Sequence, residues 1–199
     1  MITKPKFVRK YMRMAYELGE TENPCHSRKI GTMIINDDHE VVGMGYNGPP
    51  AGTPHCDTEV YLREFFWPQL TKDEKESIAL ELGIPRNGPD ADLAAAFSKR
   101  YNMCGTCPRR LIGAKSGQRT ELCSCQHAER NAINKASRST KNATMFAWCG
   151  IPCIPCTGAI INARIGALHC LTDIAYHDLA SWLFERAGVK VFVHDPEKF

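Results

Sequence analysis

His127-Ala128-Glu129 and, further on, Pro152-Cys153-Ile154-Pro155-Cys156 bring together one imidazole, two thiols and one carboxylate at spacings that suit metal-assisted hydrolysis. Three protein ligands, His127, Cys153 and Cys156, leave the fourth position of a tetrahedral zinc open for water, which separates a catalytic zinc from a structural one. Lewis acidity lowers the pKa of such a water to roughly 7, so hydroxide is available at neutral pH. Glu129 has no place among the ligands in this scheme. Its task is to carry protons between water, substrate and leaving group. A lone Cys-x-x-Cys would read equally well as a redox pair or as stray buried thiols; His-Ala-Glu upstream separates the readings.

These groups need elements that hold them. Cys153 and Cys156 stand three apart, so at the start of a helix both sulfurs share a face, and Pro152 is tolerated where a helix begins. The positive end of the helix dipole then favours both thiolates. His127 opens a second helical stretch, Ala128 to Ser137, with Ile133 on its core face. Phe7, Tyr11, Met14, Ala15 and Leu18 repeat at helical spacing, and Gly19 reads as that helix's stop. Ile30–Ile35 and Val41–Tyr46 read as strands of an antiparallel hairpin turned by Asn36-Asp37-Asp38. After Cys123 the pattern alternates: strands at Thr144–Cys149, Ala167–Thr172 and Val189–His194, with helices from His127, from Cys153 and over His177–Ala187. An opening hairpin followed by such alternation predicts an α/β fold, a mixed five-stranded sheet with helices on both faces. Residues of about 58–103 differ in composition. Thr71-Lys72-Asp73-Glu74 has the form of a capping box, Leu93–Tyr101 suggests a further helix, and Phe65, Phe66 and Trp67 read as core or subunit contact. The stretch is expected to be a helical insertion.

The 199 residues can bury a substantial core. A net charge of +3 permits an anionic small molecule and gives no sign of a nucleic-acid partner. Met1–Lys10 lacks the apolar core of an export signal and no run approaches a membrane span, so a cytoplasmic protein without membrane contact is expected. Ten cysteines in such a chain argue for thiols and metals over disulfides.

The His-x-Glu…Pro-Cys-x-x-Cys pattern marks zinc nucleobase deaminases, and further segments resemble one branch of them, the deoxycytidylate (dCMP) deaminases of the cytidine deaminase superfamily. Cys25-His26-Ser27-Arg28-Lys29-Ile30-Gly31 is similar to the segment leading into that family's first strand. Gly45-Tyr46-Asn47-Gly48-Pro49-Pro50-Ala51-Gly52 matches its Gly-Tyr-Asn-Gly loop, and Thr53-Pro54-His55-Cys56 continues the match. Ser116–Cys123 resembles the stretch before His-Ala-Glu. The resemblance covers about residues 5–56 and 104–194. It implies a three-layer α/β/α fold, one deaminase domain over 1–199 and hydrolysis of dCMP to dUMP, which supplies dTTP synthesis. It also implies homo-oligomers, often hexamers, with activation by dCTP and inhibition by dTTP in many members; a triphosphate effector would bring Mg2+ with it. For a phage-encoded member the compartment is the host cytoplasm. His127, Cys153 and Cys156 would hold the catalytic zinc beside the proton carrier Glu129. Asn47 and Asn131 would lie near the sugar, and Ser27, Arg28 and Lys29 near the phosphate. Tyr46, Asn47 and Gly48 would belong to the effector region. A second, structural zinc falls to Cys25, Cys56, Cys107 and Cys123 by the same resemblance, with His26, His55, Cys104 and Cys125 as substitutes. Spacing alone offers a rival, in which Cys104-x-x-Cys107 joins Cys123-x-Cys125 in a local knuckle.

Two features depart from the family pattern. Relatives carry Thr or Ser before the second zinc motif, whereas here Ala147-Trp148-Cys149-Gly150-Ile151 precedes Pro152, which opens the reading of a modified cytosine as substrate. The insertion is the other departure. A tRNA- or DNA-editing deaminase would call for an extended basic surface. A riboflavin-pathway deaminase often brings a fused reductase, and no residues remain for one. A purely structural zinc protein has no use for a carboxylate such as Glu129 beside its ligands. His169, His177 and His194 lack a metal partner by spacing and are expected to be structural, as are Cys149 and Cys170.

Overall fold

The computed structural model describes residues 1–85, 87–101, 106–115, 117–172 and 177–199. In chain order its helices are α1 (Pro5–Glu22), α2 (Glu59–Tyr61), α3 (Lys72–Leu82), α4 (Asp90–Tyr101), α5 (Pro108–Leu111), α6 (Ala128–Asn134), α7 (Ile154–Asn162) and α8 (Asp178–Arg186). The strands are β1 (Gly31–Ile35), β2 (Val41–Tyr46), β3 (Thr144–Ala147), β4 (Ala167–Cys170) and β5 (Lys190–Val193). The chain forms two compact units: residues 1–24, 28–48 and 126–199 make the first, and 25–27 with 49–125 the second.

In the first unit the five strands form one sheet in the order β2-β1-β3-β4-β5. β1 runs antiparallel to both β2 and β3, while β3, β4 and β5 are parallel, so the expected mixed sheet is present. Side-chain alternation along the strands divides the core into two layers. Met33, Ile35 and Phe146 turn toward Tyr11, Met12 and Ala15 of α1. Ile34, Met145, Ala147 and Leu168 turn the other way, with Ala132 of α6, Ile160 of α7 and Phe184 of α8. His169, buried on the α1 side, stacks between Phe146 and Phe192. It bonds His194 at 2.7 Å and the Ile2 carbonyl at 2.9 Å, so these histidines tie the amino terminus to the sheet. Burial holds the pKa of His169 down to about 4.

Gly19 does not end α1, which runs on to Glu22. The helix crosses β1 so closely that a Cβ on Gly19 would come 2.7 Å from the Gly31 nitrogen. Close approach, rather than termination, is what the missing side chain permits. Helix α6 stops at Asn134, short of Ser137, whose N–H instead bonds the Val42 carbonyl at 2.9 Å.

The second unit contains the helical stretch. The capping box at Thr71 and Glu74 starts α3, and Gly83 ends it in the left-handed conformation, at φ 63°. Leu62, Phe66, Trp67, Ile78, Phe97 and Tyr101 form a core that also takes in Leu111 and Leu122. Trp67 is buried with its indole N–H donating to Asp90 at 3.0 Å, whereas Phe65 is exposed.

Candidate metal and active site

Helix α6 begins at Ala128 and α7 at Ile154, so His127 and Cys153 are the N-cap residues of two helices packed against one another in the first unit. Neither side chain caps its own helix. Both point to a common centre instead: the His127 Nδ1 lies 3.3 Å from the Cys153 Sγ and 3.4 Å from the Cys156 Sγ. A tetrahedral zinc bound at the usual nitrogen and sulfur distances separates those donors by about 3.6 Å, so the three groups fit the ion to within a few tenths of an ångström. His127 is exposed, Cys153 half-buried and Cys156 buried, which leaves one side of the group open.

The electrostatics favour a thiolate at Cys153. Hydrogen bonds from Cys156 and then His127 lower the pKa of Cys153 to about 4, despite its burial. The Cys156 thiol moves up, because it is the donor in that pair and is itself buried. Glu129, one position past the first helical residue, is only 3% exposed. Burial raises its pKa, opposed by a hydrogen bond from its own backbone and by the charge of His127. A carboxyl moved toward neutrality is better able to give its proton back. Cys149 lies past the end of β3 and its thiol is raised by burial, with the neighbouring Glu129 charge adding to the effect.

The amides expected near a sugar meet backbone. The Asn47 Oδ1 accepts from the Ala128 N–H at 2.9 Å, and its amide donates to the Arg28 carbonyl at 3.3 Å. The Asn131 amide donates to the Tyr46 carbonyl at 2.8 Å. Gly48 and Gln126 exchange two backbone hydrogen bonds, at 3.2 and 2.7 Å. Of the expected phosphate residues, Lys29 donates to the Asn23 carbonyl at 2.6 Å, and Ser27, in the second unit, accepts from Arg110 at 3.4 Å.

A second donor cluster sits in the second unit. The ligand atoms of His55, Cys56 and Cys125 lie within 4.8 Å of one another. Hydrogen bonds from Cys125 bring the Cys56 and Cys123 thiols down to about 6, while bonds to Cys123, Cys25 and Cys56 push Cys125 itself up. Cys125, a substitute ligand by the family resemblance and a full ligand in the rival knuckle, is therefore the hub of the group. Cys107 is buried, its thiol raised by desolvation, and Cys104 lies outside the described residues. Asp57 accepts from His55 Nδ1 at 2.6 Å and His26 Nε2 at 2.9 Å, a carboxylate–histidine arrangement that orients a ligand ring. The run His55-Cys56-Asp57 carried that signal in the sequence. Nothing comparable marked the amides of Asn47 and Asn131 as links to backbone.

The family model of the cytidine and deoxycytidylate deaminase zinc-binding region matches residues 5–172. Proteins named deoxycytidylate deaminase from Enterobacteria phages T2 and T4 are each 28% identical over 185 residues, which is 91% of this chain and 88% or 86% of theirs. A deoxycytidylate deaminase of Schizosaccharomyces pombe is 22% identical over 97% of this chain, which spans 45% of that relative's length. Among solved structures, the dCMP deaminase of cyanophage S-TIM5 in complex with dCMP and dUMP superposes with a TM-score of 0.57 at 18% identity, over 96% of this chain and 99% of that one. That likeness bears on the fold, which is shared.

Proposed function

The chain belongs to the family of the cytidine and deoxycytidylate deaminase zinc-binding region, and from that premise we propose that it hydrolyses dCMP, with water, to dUMP and ammonia. The observation that carries this reading is the buried carboxyl of Glu129 beside the converging donors of His127, Cys153 and Cys156. Zinc held by those three residues would supply the Lewis acidity that makes water a nucleophile near neutral pH. Glu129 takes the proton from the attacking water, passes it to the ring nitrogen of cytosine, and assists the departure of ammonia. Its depth in the fold keeps bulk water from competing for that proton. The dCMP preference is supported by the names of the phage relatives and of the cyanophage neighbour.

Several finer readings accompany this one. Residues 1–199 form a single deaminase domain with a helical insertion at about 58–103. A structural zinc is held in the second unit by Cys25, Cys56, Cys123 and Cys125, with His55 and Cys107 as the adjoining donors. Ser27, Arg28 and Lys29 serve the phosphate. The protein assembles as a homo-oligomer in the cytoplasm, supplies dUMP for dTTP synthesis, and answers to dCTP and dTTP through Tyr46, Asn47 and Gly48, with Mg2+ on the triphosphate. None of its helices is long and apolar enough to cross a membrane among the described residues.

The test is ammonia release by zinc-replete protein from dCMP, dCTP, CMP and deoxycytidine, with and without added dCTP or dTTP. Selective turnover of dCMP is expected. Turnover of another member of the panel in its place would reassign the substrate. Silence on all four, with zinc bound, would redirect the search to a modified cytosine accommodated by the Trp148–Ile151 segment.

A further inference from the structure

The N-terminus of α6 has an unusual problem. Its N-cap residue is His127, whose ring faces the thiols of Cys153 and Cys156 and so cannot cap the helix. The first N–H groups of a helix have no partner inside it, and Ala128 is buried, so its N–H needs one from elsewhere. Asn47 supplies it from a position 81 residues away, with Oδ1 at 2.9 Å. One helical turn later Asn131 returns the contact, donating to the Tyr46 carbonyl at 2.8 Å. On the other side of His127 the Gly48–Gln126 pair closes the connection with two backbone bonds. Gly45 completes it, since a Cβ there would meet the Asn131 carbonyl carbon at 2.8 Å. Residues 45–48 are thus strapped along 126–132, on both sides of His127 and Glu129.

We propose that Asn47 and Asn131 are positioning residues, a reciprocal amide clamp that fixes the backbone carrying His127 and Glu129. The inference rests on the reading of those two residues given above. The clamp sets the direction of the imidazole toward Cys153 and Cys156 and the depth of the Glu129 carboxyl. Partners that orient a ligand in this way are worth roughly 10–100-fold in metal affinity or activity.

Asn47→Ala and Asn131→Ala, singly and together, test the proposal in the full chain. Two readouts are needed. One is the concentration of a zinc chelator at which Cys153 becomes open to iodoacetamide, read on its own peptide by mass spectrometry so that other zinc-bound cysteines do not enter. The other is the division between kcat and KM for dCMP. A clamp predicts that each single variant releases zinc at roughly 10–100-fold lower chelator, with kcat reduced and KM nearly unchanged. The double variant should be little worse than the worse single one, because either substitution opens the same clamp. A rise in KM with the chelator midpoint unmoved would make the amides substrate contacts and overturn the proposal. A lower melting temperature with zinc retention and kcat intact would reduce them to ordinary packing and overturn it equally. A parent protein that holds zinc but is silent on dCMP would count against the proposed function, while the chelator midpoints would still decide the clamp. Asn131→Ala serves where Asn47→Ala fails to fold.

Discussion

Cys153 and Cys156 are the same residue type three positions apart, yet the fold makes them different acids. Hydrogen bonds from Cys156 and His127 lower the Cys153 thiol to about 4, whereas donation to Cys153 and burial raise the Cys156 thiol. In chelator-treated protein, iodoacetamide should therefore label Cys153 first, at a rate nearly flat from pH 5 to 8. An ordinary thiol, with a pKa near 8.5, becomes faster by about tenfold per pH unit over that range. Peptide mapping after timed labelling checks this, and a Cys153 rate that climbs with pH like an ordinary thiol would show that the pair is not arranged as described. The residue types and spacings that point to this chemistry were legible in the sequence, because His-x-Glu and Cys-x-x-Cys are local patterns set by single helix starts. The roles of Asn47 and Cys125 were not. Asn47 acts across 81 residues on a backbone N–H, and Cys125 is one of several cysteines whose spacings admit more than one cluster.

Among the elements, the strands followed from apolar runs bounded by turn residues, and their edges moved inward by one or two residues at most. The first helix runs past Gly19 to Glu22; a glycine that stops a helix and one that admits a close neighbour look alike in one dimension. The structure separates them through Gly31, where a Cβ would lie 2.6 Å from the Gly19 nitrogen and also press into the backbone of Ala15. Gly31→Ala should therefore force α1 and β1 apart and cost roughly 1–3 kcal/mol, as overpacking of a dense interface does. Urea unfolding measures it: the midpoint should fall with the slope unchanged. An unshifted midpoint would mean that the two backbones can separate without loss.

At the scale of the molecule, two donor clusters occupy two compact units, each cluster assembled within its own unit. The proposed assignment gives the protein two zinc ions per chain. Cys125→Ser should reduce the metal content to about one, since it removes the hub of the second cluster and leaves His127, Cys153 and Cys156 untouched. Elemental analysis after desalting reads the number, and a variant that still binds two would move the second ion to other ligands. Stability should fall with that ion, because a closed site contributes its binding energy to folding. In the stretch at 58–103 the helices and the core character of Phe66 and Trp67 are legible, but their partners Phe97 and Leu122 are not, because that pairing leaves no period in the sequence.

In the proposed reaction Glu129 carries protons for the hydrolysis of dCMP at a zinc held by His127, Cys153 and Cys156. The decisive measurement is conversion of dCMP to dUMP by the zinc-loaded wild-type protein, side by side with Glu129→Gln at equal zinc content. The wild type should form dUMP and ammonia in equal amounts. Glu129→Gln, which keeps the size of the side chain and loses its acid–base function, should be slower by roughly 10²–10⁴-fold or more with its zinc retained. A Glu129→Gln protein that turns over at the wild-type rate would show that Glu129 carries no proton in the reaction.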